Sequence, residues 1–185
     1  MIFGFVVLIV IVVAVIWVLG MYNGLVGARN EVKNSWSQID VQLKRRHDLI
    51  PNLVETVKGY MGHERGTLEA VTNARQQAVN VTGGVEDRAK AENALSQTLR
   101  SLFAVAEAYP DLKANQNFLA LQEELTSTEN KISFARQYYN DAVLRLNNRI
   151  QMFPSSVIAG MFNFSQEKFF EVEAPEERQV PQVKF

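Results

Sequence analysis

The sequence predicts an all-α protein: an N-terminal transmembrane helix, then an antiparallel bundle of three to four long helices, then an irregular C-terminal tail. Three observations carry this. The 185-residue chain opens on an unbroken apolar run, the remainder repeats its apolar residues at spacings of three and four, and no alternating pattern is long enough for a sheet. The segments divide as 1–22 for the anchor, 23–154 for the bundle and 155–185 for a strap or docking tail.

No charged side chain occurs from Met1 to Met21, and 15 of the first 19 residues are Leu, Ile, Phe or Val. At about 1.5 Å of rise per residue, a helix from Ile2 to Tyr22 covers roughly the 30 Å of a hydrocarbon core. The residues assigned to the span are Ile2, Phe3, Phe5, Val6, Leu8, Val10, Val13, Ile16, Trp17 and Leu19. A cleaved signal peptide would start with basic residues and end at a small-residue cleavage site, whereas this run opens Met1-Ile2-Phe3 and leaves through Gly20-Met21-Tyr22. The expectation is an uncleaved signal-anchor. Arg29, Lys33 and the cluster Lys44-Arg45-Arg46 all follow the span, which favours an outside N-terminus and a cytoplasmic bundle, with the membrane crossed once.

The first soluble helix carries a narrow apolar seam, Leu25, Val32, Trp36, Ile39, Leu43, Ile50, Leu53, Val57 and Tyr60, with Arg29 and Arg46 at the missing steps. The pattern continues into Leu68, Val71, Ala74 and Ala78, which predicts one helix to about Val81, with Gly59, Gly62 and Gly66 as its soft spot. A break near Gly62 would turn three helices into four. Pro51 lies inside this helix, where it removes an amide donor and crowds the carbonyl of His47, so a kink is expected. The alternative is a helix that stops at Ile50 and restarts on Pro51.

Thr82-Gly83-Gly84 interrupts the pattern, and Glu86 and Asp87 suit the positive end of a new helix. That helix runs to about Ala108 with Ala91, Leu95, Leu99, Leu102 and Ala106 inward, until Tyr109-Pro110-Asp111 stops it. Asp111 or Asn115 can cap the last long helix. Its seam is Phe118, Leu121, Leu125, Thr128, Ile132, Ala135, Tyr139, Ala142, Leu146, Arg149 and Phe153, closed by Pro154. The tail is apolar at Val157–Phe162, acid-rich from Glu167 to Glu177, and broken by Pro175 and Pro181. Phe162, Phe164, Phe169 and Phe170 either fold back onto the bundle or, with Val183 and Phe185, form a docking surface for a partner.

Composition excludes several classes of chemistry. The chain has no cysteine, hence no disulfide, thiolate metal site or cysteine nucleophile. With 19 basic and 20 acidic side chains interspersed, no broad field invites nucleic acid. His47 and His63 are its two histidines, and His63-Glu64-Arg65-Gly66 lacks the second histidine that a zinc peptidase helix needs. Glu123-Glu124 and Glu176-Glu177 read as solvated faces rather than acid-base pairs, and Gly83-Gly84 lacks the lysine and serine of a phosphate loop. We therefore expect no catalytic, cofactor-binding or metal-binding residue, and no small-molecule substrate. The informative charges are those on the seams, Arg29, Arg46 and Arg149 with Arg75 at the edge. Either their stems cover apolar surface while the heads reach water, or they pair with carboxylates on facing helices and fix register. Lys44-Arg45-Arg46 could also touch anionic lipid.

Beyond these patterns, Tyr22-Asn23 with Leu25-Val26, followed by the run from Val41 through Arg45-Arg46-His47-Asp48 and Pro51-Asn52-Leu53 to Gly59-Tyr60, resembles the signature of the LemA family of bacterial membrane-anchored proteins. His63-Glu64, Ala74-Arg75, Tyr109-Pro110-Asp111-Leu112, Asn130-Lys131-Ile132, Ala135-Arg136, Tyr138-Tyr139-Asn140, Phe153-Pro154-Ser155, Phe170-Glu171 and the run Val180–Phe185 fit the same pattern. The resemblance implies an N-terminal span, a helical bundle and an N-terminus outside the cell. It implies no reaction, because the family has no settled biochemical function and no established catalytic residues.

Three functions remain open on the sequence. The first is a membrane-anchored, non-enzymatic scaffold or adaptor that works through protein–protein contacts or as a homo-oligomer. The second gives the work to the C-terminus, read as a peptide by a PDZ-like or protease partner. The third is an enzyme whose cleft arises only on packing.

Overall fold

The computed structural model describes residues 2–171. Among them there are six helices and no strand: α1 (Ile2–Lys58), α2 (Arg65–Asn80), α3 (Val85–Ala106), α4 (Pro110–Lys113), α5 (Gln116–Gln151) and α6 (Ser155–Met161). The boundary expected at residue 22 falls inside α1, which continues without interruption from the apolar run into the amphipathic stretch. The chain gathers into two compact units. Among the described residues, one comprises 2–40 with 133–169 and the other 41–132 with 170–171, so α1 and α5 contribute to both.

In the first unit, α1 and α5 run antiparallel: Tyr138 and Arg145 of α5 reach Glu31, and Arg149 reaches the carbonyl of Gly24. Leu25, Ile158 and Ala159 form a small buried core, surrounded by Val18, Met21, Tyr22, Ile150 and Phe164. Higher up, the rings of Trp36 and Tyr139 lie 5.3 Å apart. Phe153, expected at the end of the α5 seam, is instead 82% exposed, because α5 ends at Gln151 and the chain turns away before that seam position is reached. The tail then opens with α6 before becoming irregular. The hydroxyl of Ser155 ties this turn together by donating to the carbonyls of Arg149 and Met152.

The second unit packs the last turns of α1 against α2, α3, α4 and the first half of α5. Ile50, Leu53, Val57, Leu68, Val71, Leu95, Leu102, Leu112, Phe118 and Leu125 share its core. The expectation of one helix to about Val81 is corrected here: α1 stops at Lys58 and α2 begins at Arg65. Gly59 and Gly62 each cost about 0.8–1 kcal/mol relative to alanine in a helix interior. Turning at that point also gains a core residue. The N–H groups of Tyr60 and Met61 both bond the carbonyl of Val57 at 3.0 Å, and Glu64 N–H bonds Met61 at 3.0 Å. Met61 is thereby fully buried, whereas Tyr60, expected on the seam, is 42% exposed.

Pro51 sits within continuous α1, so the helix does not restart there. In α3 the inward positions near its start are Ala89 and Glu92, two residues before and one after the expected Ala91, which is half-buried. Tyr109 takes the extended dihedrals favoured before proline, α4 follows with Leu112 buried, and Asn115 Oδ1 accepts the Phe118 N–H at 3.0 Å, capping α5.

If Met61 is what makes the break worthwhile, Met61→Ala will cost about 2–5 kcal/mol of stability in chemical denaturation. Gly62, by contrast, has open space where a Cβ would stand and no left-handed dihedral. Gly62→Ala is expected to stabilise by about 0.4–1 kcal/mol, through the unfolded chain.

Candidate functional site

The polar interior of the second unit centres on Arg46, which is 1% exposed. Pro51 fixes its surroundings, because a proline at position 51 cannot donate to the carbonyl of His47 four residues earlier. That freed carbonyl accepts instead from Arg75 Nε of α2 at 2.7 Å. One residue earlier, Arg46 points between α3 and α5. Its Nη2 pairs with the Glu92 carboxylate and reaches the Glu92 backbone carbonyl at 3.4 Å. Its Nη1 donates to Ser96 Oγ at 2.8 Å and to Glu129 Oε2 at 2.6 Å, and Ser96 in turn donates to Glu129 Oε1 at 3.1 Å.

His47 completes the cluster. Its Nε2 lies 3.0 Å from Glu92 Oε1 and 3.3 Å from Oε2, with hydrogen-bond geometry met at Oε2. Burial pushes the Glu92 carboxyl upward, but the His47 hydrogen bond and the charges of Arg46 and His47 outweigh it, so its pKa falls below the ordinary 4.5. Glu129 stays 45% exposed and lets water reach one end. This arrangement holds a guanidinium between carboxylates from two helices. Ion pairs and hydrogen bonds that join α1, α3 and α5 in this way suit the cluster to hold the three helices in register.

The other seam arginines behave differently. Arg29 is exposed, with its guanidinium 5.0 Å from the centre of the Phe164 ring. Arg149 is exposed and bonds the Gly24 carbonyl, where a Cβ on residue 24 would meet Nη1 at 3.4 Å. Arg45, from the basic cluster considered for lipid, pairs with Glu124 of α5.

In the first unit a second polar arrangement grips the tail. At the end of α6, Asn163 adopts φ 55°, in the left-handed region, while its N–H bonds Gly160 and that of Phe164 bonds Ala159. This pair of bonds is a Schellman reversal, and asparagine tolerates its conformation better than most residues. It returns Phe164 to Tyr22, with ring centres 6.0 Å apart. The side-chain amide of Asn147 then bonds both the N–H and the carbonyl of Glu167, each at 2.9 Å. Tyr139 donates to the Lys168 carbonyl at 3.0 Å, and burial, followed by the Glu167 charge, pushes its hydroxyl up to about 12.

The ten residues assigned to the span are between 51% and 84% exposed. Of the tail aromatics, Phe162 is 52% exposed against Tyr22, Phe164 and Phe169 are half-buried, and Phe170 is buried in the second unit, where Asn93 also bonds the Glu171 carbonyl. Val183 and Phe185 lie outside the described residues. Between the end of α1 and α2, a shallow groove is lined by Val54, Glu55, Lys58, Arg65, Leu68 and Glu69. No group of three metal-ligating side chains converges among the described residues. Sequence reasoning missed Glu92 and Ser96, although the three-residue steps from Ala89 through Glu92 to Leu95 place Glu92 on the α3 seam.

Comparison with known proteins adds a relationship. A model described as the LemA family matches residues 35–185. Protein LemA of Metamycoplasma hominis is 26% identical over 140 residues, covering 76% of this chain and 64% of that protein. Magnetosome protein MamQ 2 of Paramagnetospirillum magneticum is 23% identical, covering 81% and 64%, and Magnetosome protein MamQ of Magnetospirillum gryphiswaldense is 20% identical, covering 80% and 64%. The chain thus spans 64% of the length of the curated relatives it matches.

Three predictions rest on this geometry. Arg46→Met strands Glu92 and should cost about 3–5 kcal/mol, while combining it with Glu92→Leu recovers most of the loss in a double-mutant cycle. In the native chain the Glu92 contribution is complete above about pH 4.5 and disappears as pH falls through its lower folded value, so Glu92→Gln flattens the acid limb of a pH–stability curve. Tyr139 has the opposite sign, because its unfolded form ionises first. Stability therefore drops as pH rises from 10 towards about 12, and Tyr139→Phe removes that alkaline limb at a cost of about 0.5–1.5 kcal/mol at neutral pH.

Proposed function

The chain belongs to the LemA family, and on that premise we propose that it is a membrane-anchored helical protein acting as a non-enzymatic scaffold or adaptor. The observation that carries the reading is the first part of α1. This helix is long and apolar enough to cross a membrane, and none of the residues in its apolar window is buried among the described residues. Burying that surface in lipid is favourable by several kcal/mol, since each large apolar residue near a helix centre contributes about −0.3 to −0.6 kcal/mol. Arg29, Lys33 and Lys44 all follow the apolar run, which favours an outside N-terminus and a cytoplasmic remainder.

The remainder is organised for contact. Its most buried ionic groups are turned onto one another and hold helices in register, while apolar side chains such as Phe134, 74% exposed, face outward. The names of its relatives, Protein LemA and Magnetosome protein MamQ, state no reaction. The partner is another protein or a second copy of the chain. Crosslinking the membrane-embedded chain through its lysines, then extracting it in detergent, should give a reproducible partner or a defined oligomer. A strictly monomeric product without specific neighbours would sink the reading.

A further inference from the structure

From Ile150 to Gln166 the sequence carries no charged side chain, a run of 17 residues between Arg149 and Glu167. Within it the fold turns two apolar residues inward and leaves five outward. Ile158 and Ala159 are buried, whereas Met152 is 63% exposed, Phe153 82%, Val157 53%, Met161 69% and Phe162 52%. An exposed apolar patch rimmed by polar residues marks a surface with an occupant.

Its position within the first unit names the occupant. The buried face of α6 rests on Val18, Met21, Tyr22 and Leu25, the turns of α1 where the apolar run ends. A helix entering the hydrocarbon core near Ile2 leaves it near Tyr22, after roughly 30 Å. The first charge of α1, Arg29, lies two turns further on and covers Phe164, and Arg149 brackets the same level from α5. Tyr22 packs on Phe162 with ring centres 4.7 Å apart, so an aromatic pair stands where such rings prefer the membrane–water boundary. The exposed face of α6 and the preceding corner is therefore continuous with the lipid-facing surface of α1.

We propose that the α5–α6 corner is a second, monotopic lipid contact: Met152, Phe153, Val157, Met161 and Phe162 enter the headgroup and upper acyl layer beside the exit of α1. The occupant is the phospholipid surface. A short charge-free segment, apolar on one side and docked on the other, lies in the interface plane, held by burial of its apolar area rather than by basic residues. The contact would fix the rotation of α1 about its own axis, which a single span leaves free. This inference rests on the anchored reading, so its test reports on both.

The absence of cysteine makes the test direct. The full chain is reconstituted into vesicles of phosphatidylcholine and phosphatidylglycerol with one nitroxide label, at Val10→Cys, Phe153→Cys, Val157→Cys or Asn30→Cys. Relative accessibility to oxygen and to a water-soluble nickel chelate then reports depth. Labels at 153 and 157 are expected to show an oxygen preference severalfold above that at 30 and below that at 10, and Met161→Asp should shift the label at 157 towards water. If Val10→Cys reads as deep but 153 and 157 match position 30, the lipid contact is wrong and the anchor stands. If Val10→Cys is itself aqueous, both fall. Dipolar broadening between labels at 153, with neither quencher gaining access, would assign the patch to a second copy and overturn the proposal.

Discussion

An arginine that is only 1% exposed constrains how the second unit is built. Once Arg46 is placed on the inward face of α1, its charge requires carboxylate, and the carboxylates come from two other helices, Glu92 of α3 and Glu129 of α5. Sliding α3 by one turn would leave the buried Glu92 charge unmatched, a penalty well above that of a misplaced leucine, and sliding α5 would take Glu129 from Arg46. Apolar side chains fill the space, but they tolerate sliding. The ion network does not, and it therefore selects one register from the several that the seams alone would accept.

Pro51 belongs to the same logic. A proline inside a helix normally leaves a carbonyl without its partner, and in a packed interior such a carbonyl is costly. Here the vacancy at His47 is taken by Arg75, which ties α2 to α1 one residue from Arg46. The residue that disturbs one helix thus creates the acceptor that attaches another. Both devices use arginine, whose planar head can serve several acceptors at once.

Much of this architecture was legible in the sequence because helices announce themselves by period. The apolar opening, the interruption at Thr82-Gly83-Gly84, the stop before Pro110 and the cap at Asn115 all follow from local chemistry, and all stand in the structure. The break after Lys58 was less legible. Its seam continues through the glycines into Leu68 and Val71, and period alone cannot distinguish a continuous helix from two segments that turn without losing their inward face. Seam arginines posed a similar ambiguity. Arg29 and Arg149 reach exposed positions while Arg46 is sealed, and the difference lies in which carboxylates stand opposite, a fact of tertiary packing. Glu92 escaped notice because an acidic residue on an apolar stripe reads as an interruption until its cation is known.

Asn147 holds the irregular segment by its main chain: one amide takes both the donor and the acceptor of residue 167, in the manner of a neighbouring β-strand reduced to a single side chain. A grip of this kind is blind to the identity of what it grips. The path of the segment past α5 is consequently independent of its spelling at 167. The side chain at 167 can change, for a new contact or for none, without moving the thread that carries it.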